Sequence, residues 1–106
     1  MAVVPKVVAV TRAEMPDDVR EAHAHCGLNR GELTQSSVCG CFHCCSIFGP
    51  TQIRDWIDPA PEMAKATGTQ GRTARCPRCG IDSVIGDRSG YPITPDFLAK
   101  MRTYWF

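Results

Sequence analysis

Two short stretches decide how this chain is read: Cys39-Gly40-Cys41-Phe42-His43-Cys44-Cys45 and Cys76-Pro77-Arg78-Cys79-Gly80. Each contains a Cys-x-x-Cys unit, Cys41 with Cys44 and Cys76 with Cys79. Two intervening residues let both sulfurs turn toward one cation in a tight knuckle. A glycine after the second cysteine lets the backbone fold underneath and aim N–H groups at the sulfurs. Four thiolates at about 2.3 Å around a tetrahedral Zn2+ are the standard structural arrangement. The spacing therefore predicts one metal centre on Cys41, Cys44, Cys76 and Cys79. The 31 residues between Cys44 and Cys76 make a long loop, but its closure cost rises only with the logarithm of its length. Cys39 could replace Cys41, although only Cys41 repeats the spacing of the second knuckle. An iron–sulfur cluster is the other metal cofactor such thiolates hold. A thioredoxin-like dithiol would need a βαβ context that this chain lacks.

Working outward, the chain has 106 residues with seven cysteines, an odd number that internal disulfides cannot use up. Short cysteine spacings in a cytosolic chain read as metal or redox sites before disulfides. Hydrophobic residues make up 43%, which excludes wholesale disorder. Twelve basic against 11 acidic residues give a formal charge of +1, without the basic excess of a general polyanion binder. A zinc tetrathiolate would shift that charge to about −1. The longest apolar run, 2–10, is interrupted by Pro5 and Lys6. It falls short of the roughly 20 residues of a membrane span and lacks the features of a signal peptide. The expectation is a soluble, cytoplasmic, single zinc-binding domain over 1–106, with an N-terminal strand and helix extension over 1–36 and a knuckle core over 37–106.

The element pattern is mixed. Ala2–Val10 predicts an edge strand. Pro16–His25 predicts a helix with Asp17 and Asp18 at its positive end, Gly27 at its exit and Met15, Val19, Ala22 and Cys26 on one face. A second helical turn starts at Asn29, with Glu32 as capping partner. Pro50 is expected to open a helix carrying Ile53, Trp56 and Ile57 on one face. The Pro-, Ala-, Thr- and Gly-rich segment 58–71 reads as a mobile loop. Strands are expected over Gly71–Arg75 and Ile81–Ile85, then a turn at Gly86–Gly90. Thr94, Pro95 and Asp96 open the clearest helix, with Phe97, Leu98, Met101 and Trp105 near one face.

Other candidate chemistry is sparser. His23, His25, Cys26 and Cys39 could form a second, open metal site of the kind a zinc enzyme needs. The competing reading places Cys26 in the core and the histidines at a solvated helix end. Cys39 or Cys45 could serve a thiol redox sensor, and His43 lies inside the first knuckle. Asp82 could act as a base near a metal, but no triad, paired-carboxylate site, P-loop or H-E-x-x-H motif is present. Lys65, Arg72, Arg75 and Arg78 form a basic run that suits phosphate contact or compensation of a negative thiolate centre. Trp56, Tyr91, Tyr104, Trp105 and Phe106 offer base-stacking surfaces, or core and interface packing.

Cys39–Cys44, the Phe48…Ile53…Trp56 segment, Cys76-Pro77-Arg78-Cys79-Gly80-Ile81-Asp82-Ser83-Val84-Ile85-Gly86, Ser89–Thr94 and the ending Tyr104-Trp105-Phe106 together resemble a family of small, uncharacterised bacterial cytoplasmic proteins of zinc-ribbon or treble-clef type. The resemblance extends over most of 25–106, including His25-Cys26 through Leu33. It implies cysteine-bound zinc in a small α+β domain with two knuckles, short antiparallel strands and flanking helices. It implies no particular activity. The length of segment 58–71 and the presence of Cys45 depart from that pattern. The resulting expectation is a non-catalytic zinc-binding module that engages another protein, with nucleic acid contacted through Arg72, Arg75 and Arg78 as the lesser alternative. The rivals are a zinc-dependent hydrolase- or nuclease-like enzyme and a redox sensor.

Overall fold

In the C-terminal quarter the chain forms the helix its caps dictate, α4 (Pro95–Trp105). The Thr94 hydroxyl accepts from the Phe97 N–H at 3.2 Å, satisfying one orphan donor of the first turn. Its apolar stripe turns inward: Phe97, Leu98 and Met101 are buried, contributing roughly 1.5–3 kcal/mol each relative to exposure. The helix docks on α1 (Asp17–His23), where the Trp105 indole N–H donates to the Val19 carbonyl at 3.1 Å. Lys100 reaches Asp18 at 3.2 Å across the same seam. This computed structural model describes residues 15–59, 61–68 and 70–106. The strand expected over Ala2–Val10 lies outside them.

The described residues are α+β. A 3-10 turn (Ala24–Cys26) follows α1 and leads to α2 (Arg30–Thr34). Strands β1 (Cys39–Cys41), β2 (Ile47–Phe48) and β5 (Val84–Gly86) form an antiparallel sheet in the order β2-β1-β5. Cys39 lies opposite both Phe48 and Gly86. Strands β3 (Trp56–Ile57) and β4 (Thr73–Ala74) make a separate antiparallel pair, and α3 (Pro61–Thr67) lies in the connection between them.

The small sheet divides two buried clusters, and the period-2 alternation of its strands decides who lies on each side. Ile85 packs with Met15, Val19, Ala22, Phe42, Leu98 and Met101 on the helical side. Its neighbour Val84 packs with Leu33, Cys39, Cys41, Phe48 and Cys76 on the other. Gly40, between Cys39 and Cys41, faces the helices so closely that a Cβ would stand 2.7 Å from a Leu98 methyl and 2.9 Å from one of Ile93. Glycine at this position is what lets α4 lie directly on β1.

Three expected elements differ. Segment 58–71 contains α3 rather than loop throughout, because Glu62, Met63, Ala64, Lys65 and Ala66 are all good helix formers behind an N-terminal proline. The helix expected after Pro50 stops as a 3-10 turn, Pro50–Gln52, and Ile53 is extended. Beyond it the backbone bonds across instead: the Arg75 N–H donates to Asp55 O at 3.0 Å and the Arg72 N–H to Ile57 O at 2.7 Å. Pairing with β4 thus overrides the apolar helical spacing of Ile53, Trp56 and Ile57. The strand expected from Ile81 begins only at Val84, since Ile81 O is taken by the Cys76 N–H at 2.9 Å to close the second knuckle.

Candidate metal centre

The two knuckles are near copies of one another. In the first, Cys41 ends β1, and the Cys45 N–H returns to Cys41 O at 2.7 Å. In the second, the Gly80 N–H returns to Cys76 O at 2.9 Å. Both returning residues have positive φ, 63° at Cys45 and 82° at Gly80. Cys45 therefore fills the place of the knuckle glycine, which accounts for a cysteine directly after a candidate ligand. Backbone amides point at the leading sulfur of each turn: His43 N–H to Cys41 Sγ at 3.3 Å, and Arg78 and Cys79 N–H to Cys76 Sγ at 3.3 and 3.4 Å. Such donors stabilise negative sulfur.

The sulfurs of Cys41, Cys44, Cys76 and Cys79 all lie within 4.8 Å of one another and could hold a metal ion. Cys41 and Cys79 are 3.7 Å apart, as are Cys44 and Cys76. Hydroxyls support the outer side: Ser83 Oγ lies 3.2 Å from Cys41 Sγ, and Ser46 Oγ lies 3.2 Å from Cys44 Sγ. Burial pushes the Cys41 thiol up to about 12 despite hydrogen bonds from Ser83 and the His43 amide. Burial also opposes ionisation of Cys44, but bonds from the Ser46 hydroxyl and amide outweigh it and bring Cys44 to about 7. Four sulfurs so close ionise together only with a cation among them, which couples metal binding to proton release.

Cys39 does not join this group. It is fully buried on β1, and burial, with Asp87 adding to it, raises its thiol to about 11. That is a poor setting for the thiolate a redox sensor needs. The second, open site expected from His23, His25, Cys26 and Cys39 is not assembled. The sheet separates Cys39 from Cys26, which packs on the helical side. Glu32 lies 3.0 Å from His25 Nδ1, so its carboxylate hydrogen-bonds that ring and does not serve as the expected cap. His23 stacks on Trp105 with ring centroids 3.7 Å apart. Among the described residues, no group of three ligand-type side chains other than the four cysteines converges. His23, Cys26 and Asp82 nevertheless share one cleft, with Ser83 between it and Cys41.

The basic run is partly structural. Arg75 Nε–H donates to Gly80 O at 2.9 Å, laying its guanidinium along the second knuckle. Arg72, Arg78 and Lys65 are exposed. Sequence reading passed over Ser46, whose only signal is a hydroxyl two residues beyond Cys44. It also passed over Arg30, which sits 4.6 Å from the Trp56 ring centre and donates to Gly71 O at 2.8 Å.

No helix among the described residues is long and apolar enough to cross a membrane. No family model matches the chain, and no curated protein or solved structure matches it either.

Proposed function

We propose that the protein is a zinc-binding module in which Cys41, Cys44, Cys76 and Cys79 hold one structural Zn2+ that joins the two knuckles. The two sulfur separations of 3.7 Å carry this reading. Tetrahedral Zn–S bonds of about 2.3 Å require sulfur–sulfur edges of about 3.8 Å. The paired amide donors and the use of all four positions by protein sulfur favour a closed site over an open, catalytic one. We further propose that the module binds another protein. With zinc the formal charge falls from +1 to about −1, which gives no general attraction to a polyanion. The α4 stripe of Phe97, Leu98 and Met101 is buried within the domain itself. Among the described residues, Leu28, Met63 and Phe106, each more than half exposed, offer apolar side chains to a partner.

Native mass spectrometry of the purified chain tests the metal assignment. One zinc per chain, lost in Cys76→Ser, is the expected result. A second metal lost in His25→Ala would instead favour the enzyme reading, and iron with sulfide-to-iron absorption would replace zinc by a cluster. Identification of copurifying macromolecules tests the partner: recovery of salt-sensitive nucleic acid through Arg72, Arg75 and Arg78 would overturn the protein-binding reading.

A further inference from the structure

The four sulfurs of the metal centre differ in what can reach them. Cys41 and Cys76 are 0% and 4% exposed, whereas Cys44 and Cys79 are half-buried. A small solute in water therefore meets Cys44 and Cys79 first. Ser46 sets a hydroxyl 3.2 Å from Cys44 Sγ, while the Cys79 sulfur is met by the Ile81 amide. Across the knuckles, Cys76 Sγ lies 3.7 Å from Cys44 Sγ. The three cysteines outside the centre are placed elsewhere. Cys45 and Cys26 pack on the helical side of the sheet, and Cys44 packs with the cluster on the other side. Cys39 is fully buried on β1.

We propose that Cys44 is the site at which hydrogen peroxide attacks this protein, with Cys76 as its resolving partner, so that oxidation exchanges the metal for a disulfide between the knuckles. The proposal rests on the zinc reading above, because a coordinating cation keeps the sulfurs ionised and an ionised sulfur is the nucleophile. In the first step the Cys44 sulfur attacks one peroxide oxygen. An S–O bond forms, the O–O bond breaks, and the other oxygen leaves as hydroxide, hydrogen-bonded by Ser46 and protonated by solvent. Cys44 is then a sulfenic acid. In the second step the Cys76 thiolate attacks the Cys44 sulfur: an S–S bond forms, the S–O bond breaks and a second hydroxide takes a proton. Two thiolates give up two electrons, and one peroxide with two protons becomes two waters. The sulfurs start 3.7 Å apart and a disulfide is about 2.05 Å long, so joining them needs a closure of roughly 1.7 Å. Cys41 and Cys79 alone are too few ligands for a structural site, so the metal is lost. The new bond nevertheless keeps the two knuckles tied.

The experiment treats the full, zinc-loaded chain with hydrogen peroxide, follows free zinc with a chromogenic chelator and maps disulfides by mass spectrometry without reduction. Trypsin cuts after Arg75 and Arg78, which puts Cys76 and Cys79 on different peptides. Zinc is expected to be released in step with peroxide consumed, with Cys44 joined to Cys76 in the first product. Ser46→Ala leaves every sulfur in place, so it should keep its zinc while releasing it about 3- to 10-fold more slowly under peroxide. An unchanged rate in Ser46→Ala would move the attack away from Cys44. A disulfide within either knuckle, a disulfide at Cys39 or Cys45, or a Cys44 sulfinate without a disulfide would overturn the proposal. Bound zinc that survives peroxide with its thiols intact would overturn it and leave the zinc reading standing. A chain that carries no zinc before peroxide is added would overturn both.

Discussion

Asn29 and Val84, 55 positions apart, are joined through the interior: the Asn29 side-chain amide donates to the Val84 carbonyl at 2.9 Å. The same amide donates to His25 O at 2.8 Å, and its oxygen accepts from the Ala74 N–H at 3.3 Å. One buried side chain, 4% exposed, therefore links the turn after α1, strand β4 and strand β5. Sheets of two or three residues leave many backbone groups unpaired, and Asn29 supplies what those strands cannot supply each other.

Replacing Asn29 by Ala should strand buried backbone donors and acceptors at once, with a loss of about 2–4 kcal/mol. Urea unfolding measures it. Asn29→Asp retains the acceptor for Ala74 and loses both donors, so it should fall at least as far. A loss within experimental error for Asn29→Ala would mean that water replaces the bridge freely.

Cys45 makes a sharper test of the knuckle geometry, because its φ of 63° is one that L side chains rarely adopt. Cys45→Gly should stay within about 1 kcal/mol of the parent, relief of backbone strain offsetting the lost side chain. Cys45→Val adds a second γ branch at a half-buried site, so it should cost about 1–2 kcal/mol. Thermal unfolding of the two variants decides the matter, and Val tolerated as well as Gly would remove the strain argument.

The four-cysteine set was legible because its signal is local: residue type and spacing alone specify a knuckle. The α4 cap was legible for the same reason, through Thr94 and Pro95. What the sequence concealed depends on distant partners. Asn29 reads as a helix cap, yet its side chain makes no cap bond and serves β4 and β5 instead. The Ile53, Trp56 and Ile57 spacing suits a helix, and only pairing of Trp56 with Ala74 turns it into a strand. His25 looks like a ligand until Glu32 is seen beside it. Cys39 and Cys26 look like companions until a sheet is placed between them.

Asp87 gives a pH signature. Its carboxylate accepts from the Ser37 N–H at 2.8 Å and the Val38 N–H at 3.4 Å, tying the segment before β1 to the end of β5. The Ser37 bond is the main reason its pKa lies below the ordinary carboxylate value. A depressed folded-state pKa means stability present above the unfolded value and lost as pH falls through the folded one. Asp87→Asn should therefore melt lower than the parent at pH 7, and the gap should close as pH drops below the carboxylate range. A gap that is constant with pH would show that the amide substitutes poorly by shape and that charge is irrelevant.

Metal removal should have the largest effect. Structural zinc contributes on the order of 10–16 kcal/mol in finger peptides, as much as the 5–15 kcal/mol that separates folded from unfolded states in ordinary domains. Here Cys41 and Cys76 belong to the same buried cluster as Leu33, Phe48, Ile53 and Val84. Ionised sulfurs without a cation would place charge inside that cluster, so loss of metal disrupts packing as well as a crosslink. Chelation of the zinc-loaded protein, or Cys76→Ser, should abolish the cooperative transition seen by circular dichroism. Cys39→Ala, two positions before Cys41 on the same strand, should keep one metal per chain and lose only about 1 kcal/mol of packing. If Cys39→Ala instead emptied the site while Cys41→Ala retained the metal, the register of the first knuckle would have to move by two residues.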